Sequence, residues 1–201
     1  MPAYDATTAL LVVDVQNDFA DPAGSLYVGG GEQVVPLANT EIERAHDAGG
    51  QVFYTQDWHP RSTPHFEKDG GIWPVHCVID SWGAEFHPHL RVEGPVVRKG
   101  SNGEDGYSGF TMRDAASGET VPTGLADMLA EAGITRIVIC GLATDYCVKY
   151  TALDARQDGF ATYLVADGCR GVGLKPGDSD AAIETMRGSG VVVLDSGDIG
   201  T

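Results

Sequence analysis

Six short apolar runs, most of them rich in β-branched residues, punctuate the chain: ALLVVDV (9–15), QVFYTQD (51–57), PVVRK (95–99), RIVICG (136–141), ATYLVAD (161–167) and VVVLD (191–195). A run that is apolar at nearly every position, not at alternate ones, suits a strand buried on both faces. Segments of helical periodicity separate most of these runs, near 31–48, 122–132, 145–158 and 178–188. Such alternation predicts parallel strands covered on both sides, a three-layer α/β/α sandwich. With 201 residues, 42% of them apolar, one domain spanning 1–201 is the expected organisation.

Charge excludes partners without naming one. Thirteen basic against 29 acidic residues give a net charge of −16, a field that repels a phosphate backbone and an anionic membrane. Nucleic acid and membranes are therefore not expected partners. No apolar stretch approaches the roughly 20 residues of a membrane span. The first residues, MPAYDATTALLVVDV, lack the basic start and small-residue cleavage site of a signal peptide, so a cytoplasmic location is expected. The four cysteines (Cys77, Cys140, Cys147, Cys169) have no disulfide-scaffold spacing and read as buried thiols or as chemistry.

Two irregular stretches, 58–94 and 100–121, are too long to be idle connections in a compact domain. Ligands of open α/β sheets collect outside the carboxyl ends of the strands. Those ends carry Asp14, Asp57 with His59, Lys99, and the stretch CGLATDYC. Cys147 falls where a helix should begin, a place that stabilises a thiolate and later an oxyanion; the plainer alternative is a small buried hydrophobe. Cys77, Cys140 and Cys169 keep that plainer reading. A cysteine nucleophile needs a base and an electropositive neighbour, which Asp14 and Lys99 could supply, although a turn-forming aspartate and a solvated lysine are the alternatives.

The loop DWHPRSTPHFEKDGGIWPVHCV brings together Asp57, His59, His65 and His76. One carboxylate with three imidazoles suits zinc, iron(II) or manganese better than calcium, if the histidines are not merely scattered on a loop. His46, His87 and His89 read as surface residues. Phe19, Trp73 and Tyr107 could wall a flat ring or could simply pack. GGG at 29–31 follows no strand and reads as a turn before a helix, so no dinucleotide fingerprint is present.

On these residues the chain resembles the nicotinamidase (pyrazinamidase) family of isochorismatase-like cysteine hydrolases, over nearly its whole length. VDVQNDF would carry the family aspartate at Asp14. DWHPRSTPHF and WPVHCV would supply the metal ligands Asp57, His59, His65 and His76, RKG the lysine at Lys99, and GLATDYCV the cysteine at Cys147. The resemblance implies a six-stranded, mainly parallel sheet, one divalent transition metal (Zn, Fe or Mn), and hydrolysis of nicotinamide to nicotinate and ammonia in NAD salvage, with pyrazinamide as a further small-molecule substrate. It also implies a cis peptide from Leu142 to Ala143, an oxyanion hole built from the N–H groups of Ala143 and Cys147, and a ring pocket formed by Phe19, Leu26, Trp73, Tyr107 and Ala143. A monomer or homodimer is expected. Departures lie at the rim: Leu142 replaces a β-branched residue, SNGEDGY is slightly long, and VDVQNDFADPAGSL has an extra residue.

The implied chemistry is a thioester on Cys147, with Asp14 moving protons and Lys99 holding the charged pair. Three rivals make different demands. A metal-bound hydroxide would leave Cys147 dispensable, a related amidase would prefer another small carboxamide, and a silent binding protein would bind pyridines without turnover.

Overall fold

The computed structural model describes residues 3–114 and 117–200. Its central sheet is formed by β1 (Thr8–Val13), β2 (Gln51–Asp57), β3 (Val96–Lys99), β6 (Arg136–Leu142), β7 (Ala161–Arg170) and β8 (Val192–Leu194). They lie in the order β3-β2-β1-β6-β7-β8, and every neighbouring pair is parallel. The expected sandwich is present, with a sheet that is wholly, not mainly, parallel.

The central position of β1 and β6 explains their composition. All six residues of β1 are buried, so both faces must be apolar. Leu10 and Val12 turn to one layer, where they join Val34, Val35, Ala38 and Ile42 of α2 (Val34–Asp47). Ala9, Leu11 and Val13 turn to the other, with Leu125 and Leu129 of α3 (Leu125–Glu131), Ala152 and Ala155 of α4 (Lys149–Gln157), and Met186 of α5 (Asp178–Gly188). The two-residue period of a strand thus serves two cores at once.

Several boundaries differ from the sequence reading. The helix expected from 31 begins as a 3₁₀ turn at Gly31–Gln33, and a short helix α1 (Asn17–Ala20) follows β1 directly. The helix expected over 145–158 is split: Thr144–Val148 form a π-helical turn, and α4 starts only at Lys149. The stretch 100–121 contains an antiparallel hairpin of β4 (Thr111–Arg113) and β5 (Thr120–Pro122). Its strands of three residues bury no side chain fully, so no apolar run marks them. Among the described residues, no helix is long and apolar enough to cross a membrane.

Register positions the site. Asp57 lies opposite Lys99, and Val13 lies between Thr55 and Gly141. The residues that end β3, β2, β1 and β6 therefore stand side by side along one edge of the sheet, at the strand spacing of about 4.8 Å. Asp14 takes a left-handed backbone (φ 48°), which turns the chain sharply off β1. At Gly141 (φ 126°) an added Cβ would lie 2.1 Å from the Val13 carbonyl oxygen, so only glycine lets β6 approach β1 there.

Candidate active site and metal centre

Lys99 is wholly buried, and its ammonium is the hub of the site. Nζ lies 2.7 Å from Asp14 Oδ2 and 3.6 Å from Cys147 Sγ, and it also donates to Asp57 Oδ1 and to the Gly106 carbonyl. Asp14 is likewise fully buried, and its Oδ1 accepts from Thr55 Oγ1 at 2.7 Å. One oxygen or sulfur from each of Asp14, Asp57 and Cys147 falls within a 4.8 Å cluster. The Lys99 ammonium already contacts all three groups, so the cluster is an ion-paired centre and not a second cation site.

Burial pushes the Asp14 carboxyl up, against the opposing pull of Lys99. Burial also raises the Cys147 thiol well above its usual range; Lys99 opposes this, while Asp14 and Asp57 reinforce it. Burial thus favours the thiol form of Cys147, the form from which the expected proton transfer to Asp14 would start. It also stands on the π-helical turn, not in the first turn of an α-helix. Lys99 loses stability as a cation through burial, but Asp14 and Asp57 more than restore it and hold its pKa well above the ordinary value. The Leu142–Ala143 peptide is cis, and the Ala143 carbonyl accepts from the N–H groups of Tyr146 and Val148 at 3.0 and 3.1 Å. That turn folds Ala143 and Cys147 against the same pocket.

Asp57 divides its carboxylate between two groups. Oδ1 meets Lys99, while Oδ2 lies 3.6 Å from His59 Nε2 and 3.8 Å from His76 Nε2. Burial works against its ionisation, but Lys99 and then the histidines hold it far below the usual carboxylate range. One ring nitrogen from each of His59, His65 and His76 lies within 4.8 Å of the others, and all three residues are buried. Burial lowers the pKa of His65, and lowers that of His76 to about 4, so both are neutral lone-pair donors near pH 7. Both ring nitrogens of His59 are buried and find no hydrogen-bond partner among the described residues. An imidazole so placed is costly unless something binds it. Three clustered imidazoles and a carboxylate fit a divalent transition metal.

The pocket above these groups is lined by Phe19, Leu26, Trp73, Tyr107 and Ala143, the five ring contacts expected from sequence. Trp73 Nε1 donates to Tyr107 Oη at 2.8 Å, which fixes two of the walls. Tyr146, Val28 and Val172 also line it and were not anticipated. Tyr146 stands edge-on to Trp73 with ring centroids 4.7 Å apart; its place beside Cys147 was the one available hint. The remainder of VDVQNDF is scaffolding. Gln16 brackets Asp57 by donating to its carbonyl and accepting from its N–H, both at 2.8 Å, and Asp18 accepts from the N–H groups of Ser25 and Cys77. Cys77, Cys140 and Cys169 are buried free thiols.

Comparison with known proteins places this arrangement. The isochorismatase domain family matches residues 8–198. The chain is 38% identical to a nicotinamidase of Escherichia coli (strain K12), over 92% of this chain and 93% of that one. Its fold is similar to the crystal structure of PnC1 from L. infantum in complex with nicotinate, with a TM-score of 0.90 and 36% identity, covering 100% of this chain and 98% of that one. It is also similar to the pyrazinamidase of Pyrococcus horikoshii in complex with zinc, with a TM-score of 0.82 and 37% identity over 94% and 99% of the two chains. This chain belongs to the isochorismatase-like hydrolases and, among them, to the nicotinamidase/pyrazinamidase family.

Proposed function

We propose that this chain is a nicotinamidase: a cysteine amidohydrolase, one domain throughout, that converts nicotinamide to nicotinate and ammonia, and pyrazinamide to pyrazinoate. The observation that carries the reading is the contact of Lys99 with Asp14, Asp57 and Cys147, next to a pocket lined by Asp57, Cys147 and two of the three clustered imidazoles, His65 and His76. Relatives that act on nicotinamide, and the solved neighbour with nicotinate, support the substrate.

The ring enters between Phe19 and Trp73, with Tyr107, Leu26 and Tyr146 closing the sides. Asp57, His59, His65 and His76 hold one divalent transition metal, and zinc is favoured by the Pyrococcus horikoshii neighbour. When bound, the metal supplies a Lewis-acidic anchor for the pyridine nitrogen. Asp14 takes the thiol proton of Cys147 as Sγ attacks the carboxamide carbon, and Lys99 stabilises the charge that develops. The N–H groups of Ala143 and Cys147 receive the oxyanion. Asp14 returns the proton to the leaving nitrogen, so ammonia departs and a thioester remains. Asp14 then deprotonates water, which attacks the thioester; the expelled sulfur recovers the proton, and nicotinate leaves.

The enzyme works in the cytoplasm on small molecules, as a monomer or homodimer, and its acidity disfavours nucleic acid and anionic membranes. The test is ammonia release by zinc-loaded protein from nicotinamide, pyrazinamide and benzamide. Turnover of the first two with weak turnover of benzamide, which lacks the ring nitrogen, is expected. Silence toward both azine carboxamides, with release from an unrelated carboxamide, would overturn the substrate.

A further inference from the structure

The three clustered histidines differ in what holds the far side of each ring. His76 Nδ1 lies 2.8 Å from the Pro74 carbonyl, an acceptor that fixes the proton on Nδ1. His59 Nδ1 has no hydrogen-bond partner among the described residues and faces Gly100, where an added Cβ would come within 2.6 Å of it. His65 Nδ1 lies 2.9 Å from Asp105 Oδ1, a carboxylate 40 residues away in sequence.

Asp105 is not a stray surface charge. It sits on the loop after β3, and its backbone N–H and carbonyl pair with Arg113 of β4 at 2.8 and 3.0 Å. The β4–β5 hairpin therefore sets where the carboxylate points. The next two residues serve the site as well: the Gly106 carbonyl accepts from Lys99, and Tyr107 forms a pocket wall. His65 stacks on His59 with ring centroids 4.8 Å apart, so a rotation of its ring would disturb the neighbouring imidazole.

We propose that Asp105 is a positioning residue of the metal centre: it holds the His65 ring with Nδ1 protonated and the Nε2 lone pair directed at the other imidazoles. A carboxylate behind an imidazole fixes its tautomer and orientation and raises its basicity as a ligand. His76 gets the same service from a carbonyl, a weaker acceptor, and His59 from packing alone. Asp105 thus makes His65 a full member of the set. The inference rests on the proposed metal site but not on the identity of the substrate.

The test uses zinc affinity, measured by competition with a chromophoric chelator, and the visible spectrum of the Co(II) form; neither needs turnover. Asp105→Ala is expected to weaken zinc binding by about 10–100-fold and to alter the Co(II) bands. Asp105→Asn, whose amide oxygen can still accept from Nδ1–H, is expected to recover part of the loss, and it stands in if the alanine variant misfolds. In a His65→Ala background, Asp105→Ala is expected to cost nothing further. Unchanged affinity in Asp105→Ala beside a weakened His65→Ala overturns the proposal, as does an equal loss with and without His65. Unchanged affinity in His65→Ala overturns it by removing His65 from the ligand set, while nicotinamide turnover would still stand or fall separately.

Discussion

Replacing Lys99 by methionine tests the electrostatic centre of the site. The side chain keeps its length, but two buried carboxylates lose their cation. At an effective dielectric of about 20, a pair separated by 2.7 Å attracts with about 6 kcal/mol before desolvation is subtracted. Removing one partner of a buried pair typically costs about 3–5 kcal/mol, and that loss is expected for metal-free Lys99→Met in urea unfolding at neutral pH. Without Lys99, the pKa of Asp14 rises further, because the ammonium is the main influence lowering it. A raised carboxylate pKa contributes stability that is complete below the unfolded value and is lost as pH rises through the folded one. The deficit should therefore shrink as pH falls and Asp14 takes up a proton. Adding Asp14→Asn to Lys99→Met should restore stability relative to the single variant. A Lys99→Met protein as stable as the parent, or a double variant whose loss equals the sum of the two single losses, would refute the reasoning.

Other consequences lie at and beyond the site. Glu41 is buried, accepting from Tyr4 Oη at 2.9 Å and from Arg44 Nη1 at 2.7 Å, and burial raises its pKa above the ordinary 4.5. Its contribution to stability is full below that value and declines as pH rises, so Glu41→Gln should gain on the parent between pH 4.5 and neutrality. Paired urea midpoints across that range check this, and a constant difference would contradict it. Gly100 has φ 78°, and an added Cβ would meet His59 Cε1 at 2.5 Å. Gly100→Ala is expected to cost at least the roughly 1–2 kcal/mol of a left-handed alanine and to weaken zinc binding through His59. Thermal unfolding with and without zinc reads both; an unchanged zinc-induced shift in Tm would contradict the second.

What could be read from sequence follows from where the physics is local. The six apolar runs gave the sheet because strands buried on both faces must be continuously apolar, and α5 begins and ends where its periodicity predicts. The strand-end rule brought Asp14, Asp57, Lys99 and Cys147 to one edge, and the parallel register then set them beside one another. The π-helical turn under Cys147 was not legible, since Thr144–Val148 has the same composition as a helical start. Nor was Asp105: its pairing with His65 spans two irregular loops, and its direction depends on a hairpin too short and exposed to leave an apolar pattern. The resting state of Cys147 also required the structure, because burial and ammonium act on the thiol in opposite directions and only their geometry decides between them.

Whether Cys147 carries the acyl group decides the chemistry most directly. Zinc-loaded enzyme turning over nicotinamide can be quenched in acid and digested, and the peptide containing Cys147 weighed. A mass gain of one nicotinoyl group on Cys147, removed by hydroxylamine, together with loss of ammonia release in a folded Cys147→Ala variant, is the expected result. Ammonia release by Cys147→Ala at the parent's rate, with no acyl group on the parent's cysteine at any quench time, would contradict it and leave the attack to water.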